Sequence, residues 1–371
     1  MNNSNYRLRE LDFLRGLAIL LVLFRHHYVS DFTHKMGWIG VDLFFVLSGF
    51  LVSGLLFKEY IKYGNIKPKL FLIRRGFKIY PIYFIFYVLY LIPILIKKKL
   101  LIASFLSDMF FIQNYSNGWG YAYAASWSLA VEEHFYFMFA ILLFIGIKTN
   151  KIIFIQHKSA LDFSFFEKII LTILLICLVL RLISNLYFPN LEVKTITMTH
   201  LRIDSLLAGV LVSYWYYFKK EFLFNFISLN KFKLYILVLI LISFTPFIEY
   251  IDSFFVKTIG FTMLYIAFGL ILALFLTDDK INNKINFILS KRIVNIICKI
   301  GFSSYSIYII HTFINYIFNL FQTLILHQEV NNYLSFFITS TLSLVCGYIM
   351  TTVIEKYFLN IRDKYYPSRI I

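Results

Sequence analysis

Charge is scarce in this chain. Only 15% of its 371 residues are Asp, Glu, Lys or Arg, where a soluble domain carries about a quarter. Six prolines and fifteen glycines exclude a collagen-like chain, and so apolar a composition excludes a disordered one. Cys177, Cys298 and Cys346 stand apart with no paired spacing, which points to neither a disulfide framework nor a zinc site. What is present is apolar. Hydrophobic residues make up 60%, with 43 Phe and 27 Tyr, and the mean hydropathy is +0.73. The net charge of +16 would point to nucleic acid in a polar chain. In one this apolar, basic residues flank membrane spans instead, so no nucleic-acid partner is expected. The chain reads as an all-α polytopic protein whose partners include membrane lipids.

Ten stretches approach the roughly 20 apolar residues a span needs: 11–29, 38–57, 77–96, 127–147, 169–188, 201–218, 232–248, 258–276, 302–326 and 333–354. The first keeps Asp12, Arg15 and Arg25 and is followed by no small-residue cleavage site, so it is read as a span and not a signal peptide. Lys and Arg are unevenly shared. The N-terminal tail (Arg7, Arg9), alternate loops and the tail after residue 354 hold 22, and the other loops hold 6. That asymmetry places both termini in the cytoplasm. The longest connection, 97–126, contains a half-apolar stretch at 100–113 and then a Tyr-, Gly- and Trp-rich run, expected as a re-entrant or interfacial piece on the outer face. A single membrane domain over 1–371 is expected, with no appended soluble domain and no internal repeat.

Several charges fall inside the spans. Lys78, Lys168, Lys233 and Lys299 lie near span ends, where long stems can snorkel. Arg15, Arg25, Arg181, Arg202, Asp12, Asp42, Glu132, Glu133 and Asp204 are different, because each costs about 2.5–3.5 kcal/mol at a helix centre. They are expected to be paired or to line a polar cavity. Arg15 and His26 are eleven residues apart, which returns to within about 20° of the same helix face, some 16 Å along the axis. His27 is rotated off that stripe.

Topology then sorts the polar residues into two layers. The outer layer holds His26, Asp42, Glu132, Arg202 and Asp204, an imidazole with carboxylates that suits general acid–base chemistry. The inner layer holds Arg15 with Arg74, Arg75 and Lys78, which suits phosphate and is equally the flank a positive-inside span carries. His311 falls at mid-depth, as an interhelical partner or a second catalytic histidine. Trp38, Trp119 and Trp127 read as interface anchors or as a platform for sugar rings.

Six ordered blocks carry a resemblance. Leu11-Asp-Phe-Leu-Arg15 through His26, Gly40-Val-Asp42 through Leu51, Arg74-Arg75-Gly-Phe-Lys78-Ile-Tyr-Pro81, Trp127-Ser-Leu-Ala-Val-Glu132 through Tyr136, Arg202-Ile-Asp204 through Gly209, and Ser304 through His311 together resemble the acyltransferase-3 membrane family. Lys78 departs from that family's arginine, which puts a bidentate phosphate contact there in doubt. The resemblance implies a bacterial inner-membrane, multi-pass O-acyltransferase with no tightly bound cofactor and no metal. It would move acetyl from cytoplasmic acetyl-CoA to a hydroxyl of a cell-envelope glycan or lipid-linked saccharide, such as O-antigen (lipopolysaccharide), capsule or exopolysaccharide.

On this reading His26 is the general base or an acyl carrier, oriented by Asp42 or Glu132, with Arg202 at the oxyanion. Arg15, Arg74, Arg75 and Lys78 take the CoA phosphates, and Asp204, His311 and Trp127 contact substrate. Two alternatives stay open: a transporter or flippase for a lipid-linked glycan, and the same enzyme with a longer acyl-CoA. Cysteines placed at His34 and at Lys62 test the topology. They are expected to label from opposite sides of intact cells with a membrane-impermeant thiol reagent, and same-side labelling contradicts the two-layer arrangement.

Overall fold

Hydrocarbon offers no hydrogen bonds, so a spanning chain must satisfy its backbone within itself. The computed structural model describes residues 8–152, 154 and 163–370. Arg7 and Lys158, both counted in the charge asymmetry, lie outside these residues. The described elements are helical, with no strand among them. The first is α1 (Arg9–His26), followed by the short α2 (Asp31–Gly37), then α3 (Ile39–Tyr63) and α4 (Pro68–Ile96). Two short helices, α5 (Ile102–Met109) and α6 (Gln113–Ser116), precede α7 (Trp127–Lys148) and α8 (Phe165–Tyr187). Next come α9 (Glu192–Thr197), α10 (Thr199–Phe218), α11 (Lys220–Ile242), α12 (Phe261–Thr277), α13 (Ile281–Leu289) and α14 (Lys291–Phe302). The last are α15 (Ser304–Phe321), α16 (Asn332–Met350) and α17 (Lys356–Tyr365).

Nine helical segments among the described residues are long and apolar enough to cross a membrane, against ten expected spans. The shortfall is α1. Its 18 residues include Arg9, Glu10, Asp12, Arg15 and Arg25, too many charges for a lipid-facing helix. Protein surrounds it instead: α1 packs on α3, α14 and α15, and Ala18 and Ile19 are fully buried.

Two other boundaries move for local reasons. The basic segment expected as a loop before residue 232 is helical from Lys220, because no Gly or Pro interrupts it. The fourth helix starts at Pro68, the position where a missing N–H costs nothing. It therefore already contains Arg74, Arg75 and Lys78, placing the basic cluster on one regular surface.

At the centre α3 crosses α10 with backbones in contact. A Cβ added to Gly49 would lie 1.9 Å from the Leu206 carbonyl oxygen, and one on Gly209 would lie 2.0 Å from that of Val46. Only hydrogen fits at either position, the close approach that small residues permit between membrane helices. Val46, Leu56, Leu206 and Val210 around the crossing are fully buried. Gly209→Leu is expected to destabilise the protein by at least about 1–3 kcal/mol, read as a lower Tm and loss of a monodisperse peak in detergent. Gly269→Ala is the control. Its nearest neighbour to an added Cβ is 3.8 Å away, so no loss is expected.

Candidate active site

The Arg15–His26 stripe of α1 lies along α15. The Arg15 guanidinium donates to Ser304 Oγ at 3.0 Å, and the His26 ring meets the His311 ring edge-on, with centroids 4.8 Å apart. Ser304 and His311 are seven residues apart, two turns on one helix face. His27 points elsewhere, with its ring 6.0 Å from Phe336 of α16. The helical period thus separates the neighbouring histidines.

Two cavities run past this stripe, and a third adjoins them at the basic end. At the basic end a vestibule of about 420 Å³ is lined by Lys58, Arg74, Arg75, Lys78, Arg362 and Arg369, with Glu59. Arg75 and Lys78 also line a middle cavity of about 110 Å³, together with Arg15, Ser48, Glu132, Tyr136 and Ser304. Val41 and Tyr308 line the middle cavity and a third one alike. That third cavity, at the other end, has a volume of about 300 Å³ among His26, Asp42, Trp119, Trp127, Arg202 and Tyr250. A cationic opening, a mixed middle and an aromatic chamber containing an imidazole therefore follow one another through the bundle.

Ion pairing decides which charges face these spaces. Asp42 accepts from Arg202 at 2.7 Å and from Ser205 at 3.2 Å, and the α3–α10 crossing holds these residues together. Its Oδ2 is buried with no partner among the described residues. The Arg202 guanidinium stacks 3.6 Å from the Phe261 ring centroid, so its charge is held by one carboxylate and an aromatic face. Arg75 lies over Tyr136 at 5.0 Å, and its buried Nε lacks a partner among the described residues.

The expected two layers need corrections. Glu132 belongs with Arg15 and Arg75 in the middle cavity, where it accepts from Tyr136 at 2.7 Å. It sits more than a turn inside α7, far enough from the helix end to leave the His26 chamber. It lines a different cavity from His26. Asp42 lines the His26 chamber, with one oxygen taken by Arg202 and Ser205. Asp204 lines none of the three cavities. It is fully buried against Arg181, which also donates to the Leu201 carbonyl at 3.1 Å and to Thr262 at 2.7 Å. Lys78 does not snorkel, because Glu355 takes its ammonium at 2.5 Å. Arg74 is engaged by Asp363 at 3.0 Å and by the Tyr366 carbonyl. Trp38 and Trp127 are 5% and 9% exposed and wall the His26 chamber, which protein and not lipid surrounds.

Sequence reasoning also passed over residues that shape the site. Tyr308 stands between the middle and end cavities, its hydroxyl bonded to Ser128 at 2.7 Å and to the Ala125 carbonyl at 3.0 Å. Asp108 anchors the segment that carries Trp119. Its carboxylate accepts from the Tyr121 and Ala122 N–H groups at 2.9 and 3.0 Å and from the Tyr87 hydroxyl at 2.7 Å. A lone carboxylate in the half-apolar run 100–113 was the available signal.

Comparison with known proteins identifies the family. A family model described as an acyltransferase domain matches residues 8–354. A Staphylococcus aureus protein named "Putative O-acetyltransferase SACOL0978" is 29% identical over 224 residues, covering 55% of this chain and 34% of that protein. The peptidoglycan O-acetyltransferase OatA of Listeria monocytogenes is 33% identical over 157 residues, 38% of this chain and 25% of that protein. In YrhL of Bacillus subtilis, named a putative peptidoglycan O-acetyltransferase, the identity is 30% over 156 residues, covering 38% and 24%. The matches span about a third or less of the length of these relatives. No solved structure matches the chain.

The Arg181–Asp204 pair gives a stability test that leaves the cavities alone. Asp204→Leu strands a buried guanidinium and is expected to cost about 3–5 kcal/mol, whereas Arg181→Met with Asp204→Leu recovers most of that loss. Thermal unfolding in detergent measures both. A single variant as stable as wild type contradicts the structural role.

Proposed function

This chain belongs to the acyltransferase-3 family of multi-pass membrane proteins, and from that premise we propose that it is an O-acetyltransferase. It takes acetyl from acetyl-CoA on the cytoplasmic side and delivers it to a hydroxyl of a cell-envelope glycan on the other side of a bacterial cell membrane. The observation that carries this reading is the run of three cavities from the cationic vestibule to His26.

Phosphates cannot enter hydrocarbon, so the nucleotide end of the donor stays in the vestibule with Arg74 and Arg75. Guanidinium groups suit it by charge and by forked geometry. Its narrow arm follows the middle cavity past Arg15 and Glu132, and the thioester reaches the wall formed by Val41 and Tyr308. Beyond it lies the chamber for the acceptor. Trp119, Trp127 and Tyr250 offer flat apolar faces for a sugar ring, and the names of the Listeria and Bacillus relatives favour peptidoglycan as the glycan.

The chemistry is a proton transfer coupled to acyl transfer. His26 accepts the proton of the acceptor hydroxyl, the oxygen forms a bond to the acetyl carbonyl carbon, and the carbon–sulfur bond breaks. The CoA thiolate leaves with the proton that His26 returns. Arg202 stands in the same chamber and stabilises the oxyanion that forms between these steps. This direct route keeps both substrates present at once. Nothing in the cycle requires a resident cofactor.

Purified variants in lipid vesicles test the assignment. His26→Ala is expected to lower kcat by about 10²–10⁴-fold with acetyl-CoA binding retained, while His27→Ala, facing Phe336, stays near wild type. Arg75→Ala is expected to raise the KM for acetyl-CoA at little change in kcat, an effect of lost uniform binding. Full activity in His26→Ala contradicts the chemical role. An unchanged KM in well-folded Arg75→Ala contradicts the phosphate role.

A further inference from the structure

A general-base histidine works when something fixes which of its nitrogens carries the proton. A carboxylate usually does this. Here Glu132 is bonded to Tyr136 in another cavity, and Asp42, which lines the same chamber as His26, gives one of its two oxygens to Arg202 and Ser205. The ring that meets His26 is His311.

His311 is fully buried. Its Nδ1 lies 2.6 Å from the Tyr308 carbonyl oxygen. A carbonyl only accepts, so Nδ1 carries the hydrogen and donates. The Tyr123 hydroxyl holds the same carbonyl at 2.5 Å, which fixes its position. That leaves Nε2 with an electron pair, and Nε2 has no hydrogen-bond partner among the described residues. Buried acceptors are rarely left so. One turn further along α15, Asn315 donates to the His26 carbonyl at 3.1 Å, tying the end of α1 to this helix. His311 and Asn315 therefore address the same residue from one helix face, one at the ring and one at the backbone.

We propose that His311 is the positioning residue for His26, with its Nε2 accepting a hydrogen bond from one His26 ring nitrogen. At a centroid separation of 4.8 Å, rotation of the His26 ring brings a nitrogen against that electron pair. The other His26 nitrogen is then unprotonated and faces the chamber of Trp119 and Trp127. There it takes the hydroxyl proton and later gives it to the CoA thiolate, so His311 neither gains nor loses a proton over the cycle. This inference rests on the acyl-transfer role proposed for His26.

Two replacements separate positioning from packing. In His311→Asn the amide nitrogen can keep the bond to the Tyr308 carbonyl, but nothing reaches the Nε2 position. In His311→Gln the longer side chain places an amide oxygen there. Both are measured as full-length protein in vesicles with acetyl-CoA and a soluble peptidoglycan fragment as acceptor, alongside His26→Ala. Expected is a kcat lowered about 10²–10⁴-fold in His311→Asn with the KM for acetyl-CoA unchanged, and recovery of most of that loss in His311→Gln. Wild-type kcat in His311→Asn, or equal defects in both variants, overturns the proposal.

Histidine 15N spectra of the unsubstituted protein give an independent reading. An Nδ1–H tautomer for His311 is expected, and an Nε2–H tautomer overturns the proposal without any variant having to fold. If His26→Ala itself is fully active, the acyl-transfer reading fails first. If His26→Ala is inactive while His311→Asn is normal, only the positioning role fails.

Discussion

An ionised group inside a helical bundle has to be matched by an opposite charge, by hydrogen bonds or by water in a cavity, because hydrocarbon supplies none of these. In this protein that requirement orders the packing. The crossing of α3 and α10 at Gly49 and Gly209 brings Asp42 against Arg202, and the same α10 turns Asp204 away to Arg181 on α8. Lys219 meets Glu167 at 2.8 Å, and Lys78 meets Glu355 at 2.5 Å. Each pair ties together helices remote in sequence. The charges that line cavities, Arg75 and Glu132 among them, mark where polar substrate can enter.

Some pairs are locked away from the cavities, while Asp42 and Arg202 are paired and still line the His26 chamber. Arg181 and Asp204 have no solvent exposure and line none of the cavities described. Arg15, Ser304, His26 and His311 occupy one seam between α1 and α15, and this seam runs alongside the middle and His26 cavities. A thioester donor with a polyanionic head and a slender arm is the kind of molecule such a passage accommodates. In the function proposed above, its head stays among arginines while its reactive end moves toward an imidazole.

What could be read from sequence follows from what depends on local periodicity. Eleven residues between Arg15 and His26 place both on one face wherever α1 packs, and a single step rotates His27 away. Hydropathy likewise located the helices, and runs without Gly or Pro explain why α11 begins earlier than expected. Pairing across helices was not legible. Arg202 and Asp204 are two residues apart, yet they face different partners because neighbouring positions on a helix point in different directions. The depth of Glu132 and the engagement of Lys78 by Glu355 depend on how α7 and the helical turn at 351–355 settle against their neighbours, which one helix's pattern does not contain. The tryptophans were ambiguous for the same reason. An amphipathic ring near a helix end serves an interface or a chamber, and only packing decides.

The central claim is that donor and acceptor meet across the wall between the middle cavity and the His26 chamber. An electron cryomicroscopy structure of the protein bound to an unreactive thioether analogue of acetyl-CoA tests it directly. The account predicts phosphate density between Arg74 and Arg75, the pantetheine arm beside Arg15, and the acyl end at Val41 and Tyr308 facing His26. Density lying wholly on the lipid-facing surface, or entering from the Trp119 and Trp127 chamber with its phosphates away from the arginines, contradicts it.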